Sequence, residues 1–231
     1  MRKARLPGDP PVEITLRRSA QARRYSLRVS GLDGRVTLTL PPRGSAAEAL
    51  DFARHREAWI RGVLAAQGAA VPVAPGAELP FEGRLLTVTG APVRAPRIEG
   101  RALLVPEADP GRTGLRVATF LKAAARLRLA EASGRHAEAL GRRVGRITLR
   151  DTRSRWGSCA ASGGLMYSWR LVMAPPEVLD YVAAHEVAHL AEMNHSPAFW
   201  AVVARLCPDH ARHRRWLRRE GAGLHRYRFG D

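Results

Sequence analysis

Apolar residues recur with a period of two over the first forty positions and with a helical period after them, which predicts strands and then a helix. Residues 12–18, 24–30 and 35–40 alternate in part and read as strands, with Leu32, Asp33 and Gly34 marking a hairpin turn. Pro41 and Pro42 close the last of them. Ser45, three residues ahead of Glu48, makes a capping box that opens a helix running to about Gln67. Leu50, Ala53, Trp59, Ile60 and Val63 are among its apolar positions, and Trp59 reads as an anchor in the core. From 71 to 110 the chain is rich in proline and glycine, with short strand candidates at 79–81, 84–89, 93–98 and 102–105. No internal repeat or low-complexity tract interrupts this pattern.

A second helical pattern spans about 115–143, with Ser133-Gly134 as a candidate break. Its apolar stripe is Val117, Phe120, Leu121, Ala124, Leu127 and Ala130. Residues 146–150 and 165–172 then read as two strands of a hairpin, joined by the stretch 151–164. Pro175 and Pro176 suit the first turn of a following helix, where a missing N–H costs nothing, and Glu177 and Asp180 lie near its positive end. Ser196-Pro197 is a second helix start, with Phe199, Val202, Val203 and Leu206 on one face before Pro208. Asp209 is placed to cap a last helix that carries Trp216 and Leu217.

The helix after Pro176 carries the chemistry. It holds His185-Glu186-Val187-Ala188-His189, and positions four apart share one helix face at roughly 5–6 Å. Two imidazoles can therefore reach one metal ion, with Glu186 beside them to accept a proton from an activated water. A straight helix cannot wrap an ion, so a third ligand must come from beyond it. Asn194 tolerates a left-handed backbone and Pro197 bars a longer helix, which predicts a helix end near Met193 and a turn that brings His195 to the metal. Chance yields H-E-x-x-H in roughly one or two chains per hundred of this make-up, and a third histidine at one fixed offset about thirtyfold less often. The offset matches that of metzincins, but Glu192 stands where those enzymes have glycine and no Met-turn follows. Glu192, one turn past His189, is a candidate to orient a ligand or to serve as one. His136 reads as a surface or partly buried residue, and His210, His213 and His225, set among arginines, as residues of a solvated face.

Composition narrows the setting. The chain has 231 residues, 45% of them hydrophobic, enough for one substantial core or two modest ones. No apolar run approaches the ~20 residues of a membrane span, and the N-terminal stretch lacks the apolar region of a secretory signal. Two cysteines, Cys159 and Cys207, make no disulfide framework, and a reducing cytoplasm is the expected location. The net charge is +17, with Lys3 and Lys122 the only lysines, so nucleic acid is a candidate partner through the basic surface. Arginine-rich coding, spread over solvated faces, accounts for the same numbers; the densest run is 210–219.

Four passages together resemble the YgjP-like metallopeptidases, relatives of the SprT-type zincins. They are Ser154-Arg155-Trp156-Gly157-Ser158-Cys159; Trp169-Arg170-Leu171 with Ala174-Pro175-Pro176-Glu177; Asp180-Tyr181-Val182 leading into the histidine motif; and Asn194-His195-Ser196 with Phe199-Trp200. The N-terminal arginine-rich strand and the helix around Trp59-Ile60 are similar too, so the likeness covers nearly the whole chain. The resemblance implies an α+β protein, with a β-rich module over 1–110 ahead of a zincin-like metallopeptidase domain over 111–231. It implies one Zn²⁺ per chain on His185, His189 and His195, with Glu186 as general base and peptides or proteins as substrates. Arg155, Trp156 and Tyr167 are candidates for substrate or oxyanion contacts, and the stretches 156–159 and 167–170 are candidate edges for an added substrate strand. Trp156 and Trp169 suit plain packing equally well, and Cys159 suits a small buried thiol. Two alternatives stay open: a protease acting on nucleic-acid-bound proteins, and a basic binding module with structural zinc.

Overall fold

A computed structural model describes residues 2–30, 34–65 and 69–230. The chain forms two compact units, 1–69 and 70–231, each with its own core.

In the first unit, β1 (Arg2–Leu6), β2 (Val12–Arg18), β3 (Ser26–Val29) and β4 (Val36–Leu40) make one sheet in the order β1-β2-β4-β3. The alternation holds: Val12, Ile14, Leu16, Val36, Leu38 and Leu40 are buried while their neighbours are not. β2 and β4 pair in parallel, and β3 returns antiparallel to β4. The pairing agrees with the expected hairpin, whose turn residues Leu32 and Asp33 lie outside the described residues. β1 has no counterpart in the expected pattern. The Ser45 hydroxyl accepts from the Glu48 N–H at the start of α1 (Ala46–His55). The long helix expected here is broken at Arg56 into α1 and α2 (Glu57–Ala65), and its expected end at Gln67 lies outside the described residues. Ala49, Ala53 and Ile60 are the buried positions; Trp59 is 48% exposed, on the outer face rather than in the core expected for it.

The second unit opens with β5 (Val71–Pro72). It continues with a four-stranded sheet of β6 (Glu78–Phe81), β7 (Arg84–Ala91), β8 (Arg97–Glu99) and β9 (Ala102–Pro106), ordered β6-β7-β9-β8. Glu82 and Gly83, both at positive φ, form the tight turn between β6 and β7. Then come α3 (Thr113–Ala139), β10 (Ile147–Arg150), β11 (Gly157–Cys159), β12 (Leu165–Ser168), α4 (Pro176–Ala188), α5 (Pro197–Leu206), α6 (His210–Glu220) and β13 (Tyr227–Arg228). Three-residue and five-residue 3-10 turns occupy 110–112, 169–173 and 221–225.

The boundary at 69 differs from the expected one at 110. The cause is packing: Leu79, Phe81, Val88, Leu103 and Val105 share one core with Val117, Leu121 and Leu129 of α3. The Phe81 and Phe120 rings lie 5.8 Å apart, the Glu82 N–H donates to the Val172 carbonyl, and Arg128 donates to Glu82. The proline- and glycine-rich strands are therefore part of the larger unit. α3 runs unbroken through Ser133, and its buried stripe is Val117, Leu121, Ala125, Leu129 and Ala132; Leu127 is 69% exposed.

The expected hairpin of 146–150 and 165–172 also gives way. β10 and β12 pair in parallel, and β11, inside the connecting stretch, adds antiparallel to β12, giving the order β10-β12-β11. The strand ends at Ser168, and Trp169 to Met173 turn into a buried 3-10 segment that feeds α4. β12 is thus central and β11 an edge.

Candidate metal centre

α4 is mostly buried, from Val178 through Ala188, so it reads as apolar on nearly every face and is fixed rigidly in the core. It ends at Ala188, with His189 as its cap residue, some five residues before the predicted end near Met193. The chain then tightens through N–H bonds from Ala191 and Glu192 to the Ala188 carbonyl. Ser196 restarts it by accepting the Phe199 N–H at the head of α5, where Pro197 takes the first turn. The two helices with their short link bring His185, His189 and His195 together, their candidate ligand atoms within 4.8 Å of one another. Phe199, fully buried, backs all three rings at centroid distances of 4.9, 4.5 and 4.7 Å.

The ring nitrogens suit a cation. His185 Nε2 and His195 Nε2 face each other at 3.1 Å, close to the separation of about 3.3 Å that tetrahedral Zn–N bonds of about 2.0–2.1 Å would set. Burial and the neighbouring His189 and His195 push His185 down to about 4, so its imidazole is neutral and its lone pair available. Burial likewise lowers His189, against the bond between its Nδ1 and the Glu192 carbonyl oxygen at 3.0 Å. That carbonyl holds the Nδ1 proton and leaves Nε2 free to coordinate. Glu192 thus meets His189 through its backbone; its side chain makes no described contact. Three imidazoles around a shared point fit one divalent ion.

Glu186 is buried at 5% exposure. Burial raises its carboxyl to about 7, with the Arg155 charge pulling the other way. Gly157 of β11 lies directly over it: a methyl group on Gly157 would come within 2.5 Å of Oε1. A cleft of about 640 Å³ opens over the histidines and Glu186, walled by Arg155 to Cys159, by Tyr181 and Val182 of α4, and by Arg214, Leu217 and Arg218 of α6.

Of the other predicted residues, Arg155 and Trp156 line this cleft and Tyr167 does not. Tyr167 is fully buried, its hydroxyl paired with Ser133 Oγ at 3.0 Å, and burial pushes its pKa strongly up. On the central strand β12 its side chain points to α3, which removes it as an oxyanion donor. Trp156 walls the cleft and packs on His225, the ring centroids 5.3 Å apart. Cys159 lines the cleft half-buried, its thiol raised by burial and by Glu186. His136 is buried against Asp180 at 3.1 Å, and His225 is buried at 2% exposure rather than on the solvated face expected for it. The pattern missed Gly157, Phe199 as a backing ring, and the α6 face. Arg214, Leu217 and Arg218 stand at i, i+3 and i+4, a spacing that was available as a signal.

A histidine triad with a buried glutamate under an open cleft defines the class of a metal-dependent hydrolase. The YgjP-like metallopeptidase domain model matches residues 23–220, and the chain belongs to that family. Among solved structures, the crystal structure of the metallopeptidase zymogen abylysin from Pyrococcus abyssi is similar at 20% identity and a TM-score of 0.36, covering 39% of this chain and 92% of that one. A search of the curated proteins gives no match. Among the described residues, no helix is long and apolar enough to cross a membrane.

Proposed function

We propose that the protein is a zinc-dependent peptidase that cleaves peptide bonds with Glu186 as general base. The observation that carries this reading is a single point faced by three imidazoles, with a buried carboxyl beside it and a cleft above. His185, His189 and His195 would hold the ion. Bound zinc supplies a Lewis acid that activates water and polarises a carbonyl. Glu186 takes the proton from the attacking water as it adds to the scissile carbonyl, and gives it to the departing nitrogen. Gly157 lets β11 lie close enough to seal the carboxyl from bulk water. The free side of β11 offers backbone groups to an extended substrate, and Trp156 walls the cleft beside it.

A structural-zinc module needs neither a buried acid next to the ligands nor an open cleft, and both are present. Glu186→Gln is expected to lower kcat on an unfolded protein substrate by at least ~100-fold, the usual worth of a general base, with zinc content unchanged. Full turnover in that variant would refute the assignment. His195→Ala is expected to lose bound zinc on dialysis, measured by elemental analysis; a stoichiometric metal signal would show that another residue is the third ligand.

A further inference from the structure

The basic run of α6 divides between two faces. Arg212, Arg215, Trp216 and Arg219 line a separate groove, while Arg214, Leu217 and Arg218 turn to the cleft over the histidines. Arg155 faces the same cleft from the chain just before β11, so three guanidinium groups border it. Among the described residues lining it, Glu186 is the one acid, and it is buried.

These arginines are not used by the fold. Elsewhere in the unit, Arg128 binds Glu82, Arg135 binds Asp180 and Glu131, Arg170 binds Asp151, and Arg116 donates to the carbonyls of Pro106 and Asp109. The guanidinium groups of Arg155 and Arg218 have no ion-pair or hydrogen-bond partner among the described residues, and that of Arg214 has only the Trp200 ring, 4.7 Å from its guanidinium carbon. That ring holds Arg214 in place while leaving its N–H donors free. Gathering three like charges at one cleft costs repulsion that the single buried carboxyl of Glu186, felt by Arg155, offsets only in part, and a divalent ion would add to it. A ligand of opposite charge removes the cost.

We infer that the cleft selects acidic peptide segments, with Asp or Glu side chains flanking the bond to be cut seated against Arg214, Arg218 and Arg155. This rests on the peptidase reading and names its substrate class. A peptide fits better than a compact anion because the cationic groups are interleaved with Trp156, Leu217 and Met193, which suit alternating polar and apolar side chains. They also stand beside an edge strand that can pair with an extended backbone. Arginine matches carboxylate geometry with two donors at once.

The test uses the full-length zinc-loaded Glu186→Gln protein and fluorescein-labelled twelve-residue peptides that differ only in carrying Glu, Gln or Lys at the flanking positions. By anisotropy, the Glu peptide should bind at least ~10-fold more tightly than the Gln peptide, with the Lys peptide weakest, and the gap should shrink as salt rises. Adding Arg214→Glu and Arg218→Glu should invert the order, and Arg155→Glu alone should narrow it. Equal binding of Glu and Gln peptides, or an unchanged order in the reversed variants, overturns the inference. Tripolyphosphate that binds the cleft while acidic peptides do not would assign the arginines to a phosphate-bearing ligand and overturn it as well. Turnover of the same peptides by the unsubstituted enzyme separates the two claims: cutting with no acidic preference sinks this inference alone. Acidic peptides that bind in the predicted order and are never cut sink the peptidase reading alone.

Discussion

Gly157 shows how one absent side chain shapes the centre. A Cβ there would stand 2.5, 2.6 and 2.8 Å from Oε1, Cγ and Cδ of Glu186, distances at which one group must move. The neighbour is the carboxyl proposed to carry the proton, and burial leaves it little room. Gly157 sits in a strand with no positive φ, so alanine suits the backbone and the collision is the whole effect. Gly157→Ala is therefore expected to cut kcat/KM by about 10–100-fold, since a displacement of about 1 Å is worth up to ~100-fold. Zinc content and the melting temperature should stay near those of the parent. Steady-state kinetics beside elemental analysis checks this; unchanged kcat/KM would mean that Glu186 has freedom the packing does not suggest. The histidine spacing made the convergence of His185 and His189 legible from sequence, because four residues on a helix fix a geometry by themselves. Gly157 was not legible, because its meaning depends on which strand comes to lie over Glu186.

At the scale of elements, errors in the expected pattern share one cause. β10 and β12 looked like a hairpin because both alternate and follow one another, yet β11 intervenes and β12 takes the centre of the sheet. Three residues carry too little pattern to declare a strand, and sheet order is set by long-range pairing. The 3-10 turn at Trp169 to Met173 is another case, since its apolar run suits a strand as well. That turn does positional work through Arg170, which is buried, chelates both oxygens of Asp151 at 2.7 and 3.0 Å, and donates to the carbonyls of Leu224 and Tyr227. Its guanidinium also lies over Trp169 and Phe229. Arg170 thereby ties the start of the 151–156 stretch to the tail at 221–229, and that tail in turn braces Trp156 through Gly221 and His225. Arg170→Met should destabilise the unit by about 3–5 kcal/mol, because removing one member of a buried pair strands the polar groups it served. Arg170→Lys should recover only part, since an ammonium cannot span both carboxylate oxygens and two carbonyls. Denaturant unfolding of the three proteins measures the series; a loss under about 1 kcal/mol for Arg170→Met would show the tail to be held otherwise.

The whole molecule joins a +17 charge to a core that contains buried neutral histidine, and together these set its response to acid. His225 is pushed down to about 4, first by burial and then by the Arg170 charge, with Arg153 and Arg228 adding to this and Asp151 opposing it. Its Nε2 has no partner among the described residues, so protonation there gains no hydrogen bond. In the unfolded chain the same residue titrates near 6.5. Between those values the unfolded state binds more protons than the folded one, so stability is complete above about 6.5 and falls as pH drops toward 4. The span of roughly 2.5 units corresponds to about 3 kcal/mol. Other groups act in neighbouring windows. His185 and His189 are also lowered, while Asp151, where burial pushes up and Arg170 more than reverses it, sheds its contribution at lower pH. A direct acid titration of the protein would mix them, so the comparison must be with His225→Gln, which keeps a polar side chain of similar reach and cannot take a proton. With metal removed by chelation, the parent should lose about 3 kcal/mol more than His225→Gln between pH 7 and pH 4, and the two curves should run parallel above pH 7. Curves that stay parallel throughout would mean that His225 finds a proton acceptor in the folded state, and that the tail around it opens to water before the core does.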